Sequence, residues 1–244
     1  MSAEPAGTAA RVVPEVGERA RIEAEVAAEI AALVRRRPGA VLALPTGESP
    51  VGVYRELGRL RREEGLDLSR VTVFNLDEYL GLAPGDPRTL RRWMAERFYA
   101  LVNVPESNRR IPGEGRDTEE EIARAGGIDL LLLGIGMNGH VAFNEPGSAR
   151  DSRTRVVELH EETRRGAASA FGGIANVPRT ATTMGVATIL EARAIRVLAF
   201  GERKAGVVRR ALEGPVGPEV PASFLRGHPD VRFLLDPAAG ARSR

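Results

Sequence analysis

The chain contains no cysteine, and that absence removes disulfides, thiolate metal sites and thiol nucleophiles together. Aromatic residues make up only 5% of its 244 residues, and 35 basic residues stand against 33 acidic ones. The resulting net charge of +2 leaves no strong field of either sign, and the arginine clusters "RTLRRW" and "ETRR" have acids interleaved nearby. A nucleic-acid surface needs a basic stripe with stacking aromatics, so nucleic acid is not an expected partner. No apolar run approaches the roughly 20 residues that span a bilayer. The opening "MSAEPAGTAARVVPE" also lacks the apolar core of a signal peptide. The expectation is a cytoplasmic protein with no membrane partner. Internal repeats, low-complexity linkers and a GxxxxGK[ST] phosphate loop are all missing. Histidine is scarce, at three in the chain, so the position of each carries weight.

What is present is an alternation of helical and strand patterns. "GERARIEAEVAAEIAALVRRR" (17–37) has apolar residues at helical spacing and closes on arginines, as a helix C-terminus favours. Strands are expected at 39–45, 71–76, 128–135, 193–200 and 231–236. Helices are expected after "TGESP", over 87–102, and over "ERKAGVVRRALEG" (202–214). Buried strands separated by helices imply an α/β, Rossmann-like three-layer domain with a mostly parallel central sheet. Residues 1–15 are expected to form a flexible N-terminus, and 16–244 a single domain.

In such sheets ligands bind beyond the carboxyl ends of the strands. Four strand ends here carry unusual polar residues. In "LPTGESP" (44–50) Ser49 can cap the next helix, and exposed amides at the helix start suit an anion. A plain strand-to-helix turn explains that stretch equally well. In "FNLDEYLGL" (74–82) Asp77 and Glu78 are adjacent, so their side chains leave the strand in opposite directions. One carboxylate can enter the crevice as a base while the other supports the loop, although acidic pairs also cap helices and turns. In "GIGMNGHVAFNEP" (134–146) glycines permit close approach of a ligand to the backbone. That loop delivers Asn138, His140 and Glu145; a lone histidine is often structural, but one flanked by glycines at a strand end suits proton transfer, with Glu145 to orient it. No dense His/Asp cluster accompanies them, so no metal is expected. In "FGERKAG" (200–206) Lys204 is placed either to pair with a substrate anion or to sit in solvent.

These stretches, with "SRTR", "VPRTATTMGVATIL", "LAFGERKA" and "VPASFLRGHPDV", resemble the signature segments of the glucosamine-6-phosphate deaminase/isomerase family, within the 6-phosphogluconolactonase-like superfamily. The resemblance runs from about residue 40 to 236. It implies conversion of glucosamine 6-phosphate and water to fructose 6-phosphate and ammonia, with no metal or organic cofactor. By resemblance His140, supported by Asn138 and Glu145, opens the sugar ring, and Asp77 moves a proton from C2 to C1. Thr46, Gly47, Glu48, Ser49 and Lys204 then surround the substrate and its phosphate. A deaminase/isomerase for a different or unphosphorylated amino sugar, a lactonase-like hydrolase and a non-catalytic sugar-phosphate-binding protein stay open beside it, as does a homo-oligomer. The chain departs from the family pattern where an arginine usually meets the phosphate, offering Ser169, Ala170 and Phe171. Thr89 and Leu90 replace a common Ser-Tyr pair, and Val157 replaces a basic residue of the effector site of allosteric relatives.

Overall fold

The computed structural model describes residues 13–83, 85–113 and 117–241. Among the described residues there are ten strands: β1 (Glu15–Val16), β2 (Val41–Leu44), β3 (Thr72–Asn75), β4 (Asp77–Tyr79), β5 (Arg109–Arg110), β6 (Leu130–Gly134), β7 (Arg155–Glu158), β8 (Thr180–Thr183), β9 (Ile195–Ala199) and β10 (Val231–Leu235). Seven form one sheet in the order β1-β10-β9-β6-β2-β3-β5, with every neighbouring pair parallel. The helices are α1 (Arg19–Arg36), α2 (Val51–Glu64), α3 (Leu90–Met94), α4 (Thr118–Arg124), α5 (Glu161–Ala167), α6 (Val186–Leu190) and α7 (Ala205–Glu213).

Period-2 alternation within the strands builds the three layers. Leu42, Leu44, Leu130, Leu132, Leu198 and Leu234 face one way, onto Ile30, Val34, Tyr54 and Leu57 of α1 and α2. Their neighbours Val41, Ala43, Leu131, Leu133, Val197 and Phe233 face the other way, onto Ile122, Ile189, Val208 and Ala211 of α4, α6 and α7. Both faces are covered, which is why these strands read as unbroken apolar runs in the sequence. Gly65, at φ +67°, terminates α2 in the left-handed conformation that a side chain would disfavour.

One expectation is revised, and two features lie beyond what the sequence reading described. The segment 87–102 is not one regular helix: α3 passes into a π-helical turn, Ala95–Tyr99, where Ala100 N–H donates to Ala95 at 3.0 Å. A second sheet, β4-β8-β7, antiparallel throughout, lies beside the first and carries Asp77 at its start. Residues 1–12 of the expected N-terminal tail lie outside the described residues, but Glu15 and Val16 are sheet-bound, paired with Leu234 and Leu235.

Strand order reverses direction between β2 and β6: β3 and β5 lie to one side, β9 and β10 to the other. The loops leaving β2 and β6 therefore diverge, and a crevice opens between them at their carboxyl ends.

Candidate active site

The crevice encloses about 330 Å³ and draws residues from four strand ends. After β2 come Thr46, Gly47, Glu48 and Ser49; after β3, Asp77; after β6, Gly136 and His140; after β9, Lys204. The sequence thus brings together seven of its nine candidate residues along one wall. Asn138 and Glu145 sit behind His140, in contact with it rather than lining the space.

Ser49 does not cap α2. Pro50 occupies the cap position and no side chain there accepts a helix N–H. Ser49 instead faces the crevice: a Cβ built on Gly134 would meet its Oγ at 3.6 Å. The loop turns at Gly47, whose φ of +89° suits glycine. The start of the 14-residue helix α2 and a hydroxyl therefore both border the space.

Asp77 and Glu78 separate as alternation requires. The Asp77 carboxyl enters the crevice yet is only 7% exposed. Burial, with a smaller contribution from the Glu78 charge, pushes its pKa up to about 7. Glu78 turns away and accepts the backbone N–H groups of Tyr79 (2.8 Å), Leu90 (2.9 Å) and Arg91 (2.8 Å), so it holds the first turn of α3. Burial still raises the Glu78 pKa against those three bonds.

The loop after β6 is built around one imidazole. His140 Nδ1 lies 3.4 Å from Glu145 Oε2 and 3.3 Å from the Thr163 hydroxyl. A carboxylate only accepts, so Nδ1 carries the proton and Nε2 is left as an acceptor for a ligand. Glu145 is itself held by Asn138 Nδ2 at 2.7 Å and by the His160 N–H at 3.2 Å. Burial alone would raise its pKa; the hydrogen bonds from His140, Thr163 and Asn138 outweigh that and hold it down at about 2. Asn138 Oδ1 also accepts the His140 N–H at 3.1 Å. Gly139 takes φ +100°, and a Cβ there would lie 2.8 Å from Val220. Ala142, which lines the crevice, has φ +49°, a left-handed conformation uncommon for a residue with a side chain.

Neither of the other histidines does this. His228 is buried and spends both ring nitrogens on backbone, Nε2 on Ala192 O (2.7 Å) and Nδ1 on Asp230 N–H (3.1 Å). His160 is exposed and contributes its N–H, not its ring, to Glu145.

Lys204 precedes α7 and donates from Nζ to the Ile135 carbonyl at the mouth of the β6 loop. Burial and the nearby Arg203 lower its pKa. It is the one basic side chain other than His140 among the described residues lining the crevice. Ser169 and Ala170 are exposed, while Phe171 is buried against Tyr79, with ring centroids 5.3 Å apart. Arg164 donates to Ile174 O at 3.0 Å, Arg165 pairs with Glu161, and Arg179 is exposed, so none of them lines the crevice.

Several contributors escape the sequence reading. Thr163 comes from α5, where the sequence reading took "ETRR" only as an arginine cluster. Asn144 is fully buried and ties the histidine loop to β8 through Met184 O (2.8 Å), while accepting from Arg155 (2.9 Å). Tyr79 and Phe143 form an apolar wall, 5.4 Å between centroids. The only signal for Asn144 was its place between the aromatic and the acid in "FNEP".

A family model described as glucosamine-6-phosphate isomerases/6-phosphogluconolactonase matches residues 19–233. A glucosamine-6-phosphate deaminase of Rhodopirellula baltica is 46% identical over 226 residues, covering 89% of this chain and 90% of that protein. Glucosamine-6-phosphate deaminase 1 of Giardia intestinalis is 48% identical over 225 residues, covering 88% of this chain and 85% of its own. Among solved structures, a monomeric glucosamine-6-phosphate deaminase superposes with a TM-score of 0.85 at 40% identity, covering 94% of this chain and 98% of that one.

Proposed function

The chain belongs to the family of glucosamine-6-phosphate isomerases and 6-phosphogluconolactonases, and on that footing we propose that it is an amino-sugar-phosphate deaminase converting glucosamine 6-phosphate and water to fructose 6-phosphate and ammonia. The observation that carries this reading is the pairing, in one crevice, of a desolvated carboxyl with pKa near 7 and an imidazole whose far nitrogen is held by a carboxylate.

The substrate enters as a closed ring. His140 Nε2 accepts the proton of the C1 hydroxyl and returns a proton to the ring oxygen, which opens the sugar to an aldehyde. Glu145 stabilises the imidazolium formed between those two transfers, and Asn138 and Thr163 fix the carboxylate that does so. Asp77, ionised, then removes the proton from C2, made acidic by the adjacent carbonyl, and delivers it to C1. With the amine giving up a proton and the C1 oxygen gaining one, the product is a 2-imine bearing a C1 hydroxyl; water adds to C2 and ammonia leaves, giving the ketose. One carboxylate serves as base and then acid, which requires a pKa close to working pH.

The Thr46–Ser49 turn and Lys204 receive the phosphate in this account, with backbone amides and one cation as the donors. The cytoplasm, where the charge of a phosphorylated sugar retains it, is the proposed site of action; no helix among the described residues is long and apolar enough to cross a membrane. The solved relative is described as monomeric, and association of copies of this chain is read directly by light scattering.

The test is ammonia release measured across glucosamine 6-phosphate, its unphosphorylated form and other amino sugars, with 6-phosphogluconolactone hydrolysis as a parallel assay. Ammonia from glucosamine 6-phosphate above the rest is expected. Lactone hydrolysis without ammonia would replace this reading with a hydrolase.

A further inference from the structure

The part of the crevice assigned to phosphate is built from two separate turns, 46–49 after β2 and the turn after β9 that ends in Lys204. In the sheet β2 and β9 are not neighbours, because β6 lies between them. No ladder of hydrogen bonds therefore fixes one turn directly against the other.

One side chain spans both turns. Arg19, the first residue of α1, donates from Nη2 to Glu48 O at 3.3 Å and lies over the Phe200 ring, 4.8 Å from its centroid. Phe200 follows β9 directly, and the Lys204 N–H closes that turn on Gly201 O at 2.9 Å. Glu23 aims the guanidinium by accepting from its Nε at 2.7 Å. Glu23 is itself seated: its carboxylate fills the space beside Gly52 in the first turn of α2, where a Cβ would lie 1.9 Å from Cδ and 2.0 Å from Oε2. An exposed i, i+4 ion pair alone contributes little to stability. This pair is anchored on α2 at one end and spent on two loops at the other.

We propose that Arg19 is a positioning residue of the crevice, one that holds the 46–49 turn and the Lys204 turn in the arrangement a phosphate requires. The inference rests on the reading of the crevice as a sugar-phosphate site. Arg19 is not among the described residues that line the crevice, and it acts through the peptide that joins Glu48 to Ser49. A donor on the Glu48 carbonyl polarises that peptide and makes the Ser49 N–H a stronger donor to an anion. The planar trans unit directs this N–H away from α1. Lysine is no equivalent here, since one ammonium cannot serve Glu23, the carbonyl and the ring face as a fixed planar fork does.

Calorimetric titration of the full chain with inorganic phosphate, beside steady-state kinetics on glucosamine 6-phosphate, tests the proposal. Arg19→Gln is expected to weaken phosphate binding by about 3- to 10-fold and to raise KM by a similar factor, with kcat moved less. Arg19→Lys should recover only part of that loss, whereas a long-range charge effect would be rescued in full. Gly52→Ala supplies a second arm. Its methyl group displaces the Glu23 carboxylate and frees Arg19, yet alanine is the better helix former, so phosphate should bind more weakly with no loss of thermal stability. The double variant Arg19→Gln/Gly52→Ala should bind phosphate no worse than Arg19→Gln, since both changes act through one guanidinium. Isotherms of Arg19→Gln and Gly52→Ala that overlay the wild type would overturn the proposal, as would full rescue by Arg19→Lys or a wild type that binds no phosphate. A failed deaminase reading shows instead as absent ammonia release, and the phosphate isotherms answer this question without it.

Discussion

The imidazole of His140 fills the space that any side chain at position 136 would need: a Cβ on Gly136 would lie 2.3 Å from both its Cε1 and its Nε2. The same two residues are joined by a backbone bond, Gly136 N–H to His140 O at 2.9 Å, which closes the loop on itself. The glycine is therefore a seat for the ring. Gly136 has no positive φ to maintain, so the methyl group of Gly136→Ala acts through the ring and not through backbone strain. This substitution is expected to cut kcat by about 10²-fold or more, the usual contribution of a positioned proton-transfer group. Thermal stability should change little. Unfolding of the variant, or near-normal turnover, would contradict the seat.

The pKa of Asp77 sets the pH dependence. The ionised form is the base, so kcat/KM should rise with pH and level off above an inflection near 7. The Glu78 charge is the second cause of that elevated value, after burial. In Glu78→Gln the amide oxygen can still accept the Tyr79 and Leu90 N–H groups, the Arg91 N–H loses its acceptor and the charge is gone, so the inflection should move to lower pH. A pH–rate profile of the variant that overlays the wild type would show that Glu78 acts on the loop alone.

The same burial has a cost to folding, with a defined sign. Asp77 goes from an ordinary value of 3.8 to about 7 on folding, so the penalty is absent below pH 3.8, grows up to about 7 and is constant above. That rise corresponds to about 4 kcal/mol as an upper figure. Asp77→Asn is accordingly expected to melt above the wild type at pH 8, with the margin vanishing at pH 4. Thermal denaturation at the two pH values reads this directly; an equal margin at both would mean that the gain has nothing to do with ionisation.

Much of this arrangement was legible in the sequence because the central strands are short apolar runs ended by glycine, proline or an acid. Asp77, His140, Lys204 and the 46–49 turn were each found from their place after such a run. The second sheet was not legible: "DEY", "RVVE" and "TATT" are three- and four-residue strands with mixed polarity, too short to show a period. Thr163 was missed for a related reason. It reaches His140 from α5, a seven-residue helix with no buried residue and hence no apolar stripe to mark it. Ser49 carried a capping signature that the chain does not use, since Pro50 occupies the cap position and the hydroxyl faces the ligand space.

Lys204 is the cation available to a phosphate in the crevice. Lys204→Ala should raise KM for glucosamine 6-phosphate by about 10-fold or more while leaving kinetics on unphosphorylated glucosamine almost unchanged. Steady-state kinetics on the two sugars decides it. An equal effect on both would indicate that Lys204 supports the loop through Ile135 O and does not meet the phosphate.

The most direct measurement is ammonia release from glucosamine 6-phosphate by the wild type and by Asp77→Asn, with substrate binding followed calorimetrically on both. Asn keeps the shape of the side chain and removes the proton acceptor. The account predicts turnover lowered by about 10²- to 10⁴-fold with substrate still bound. Ammonia release by Asp77→Asn at a rate close to the wild type would contradict it.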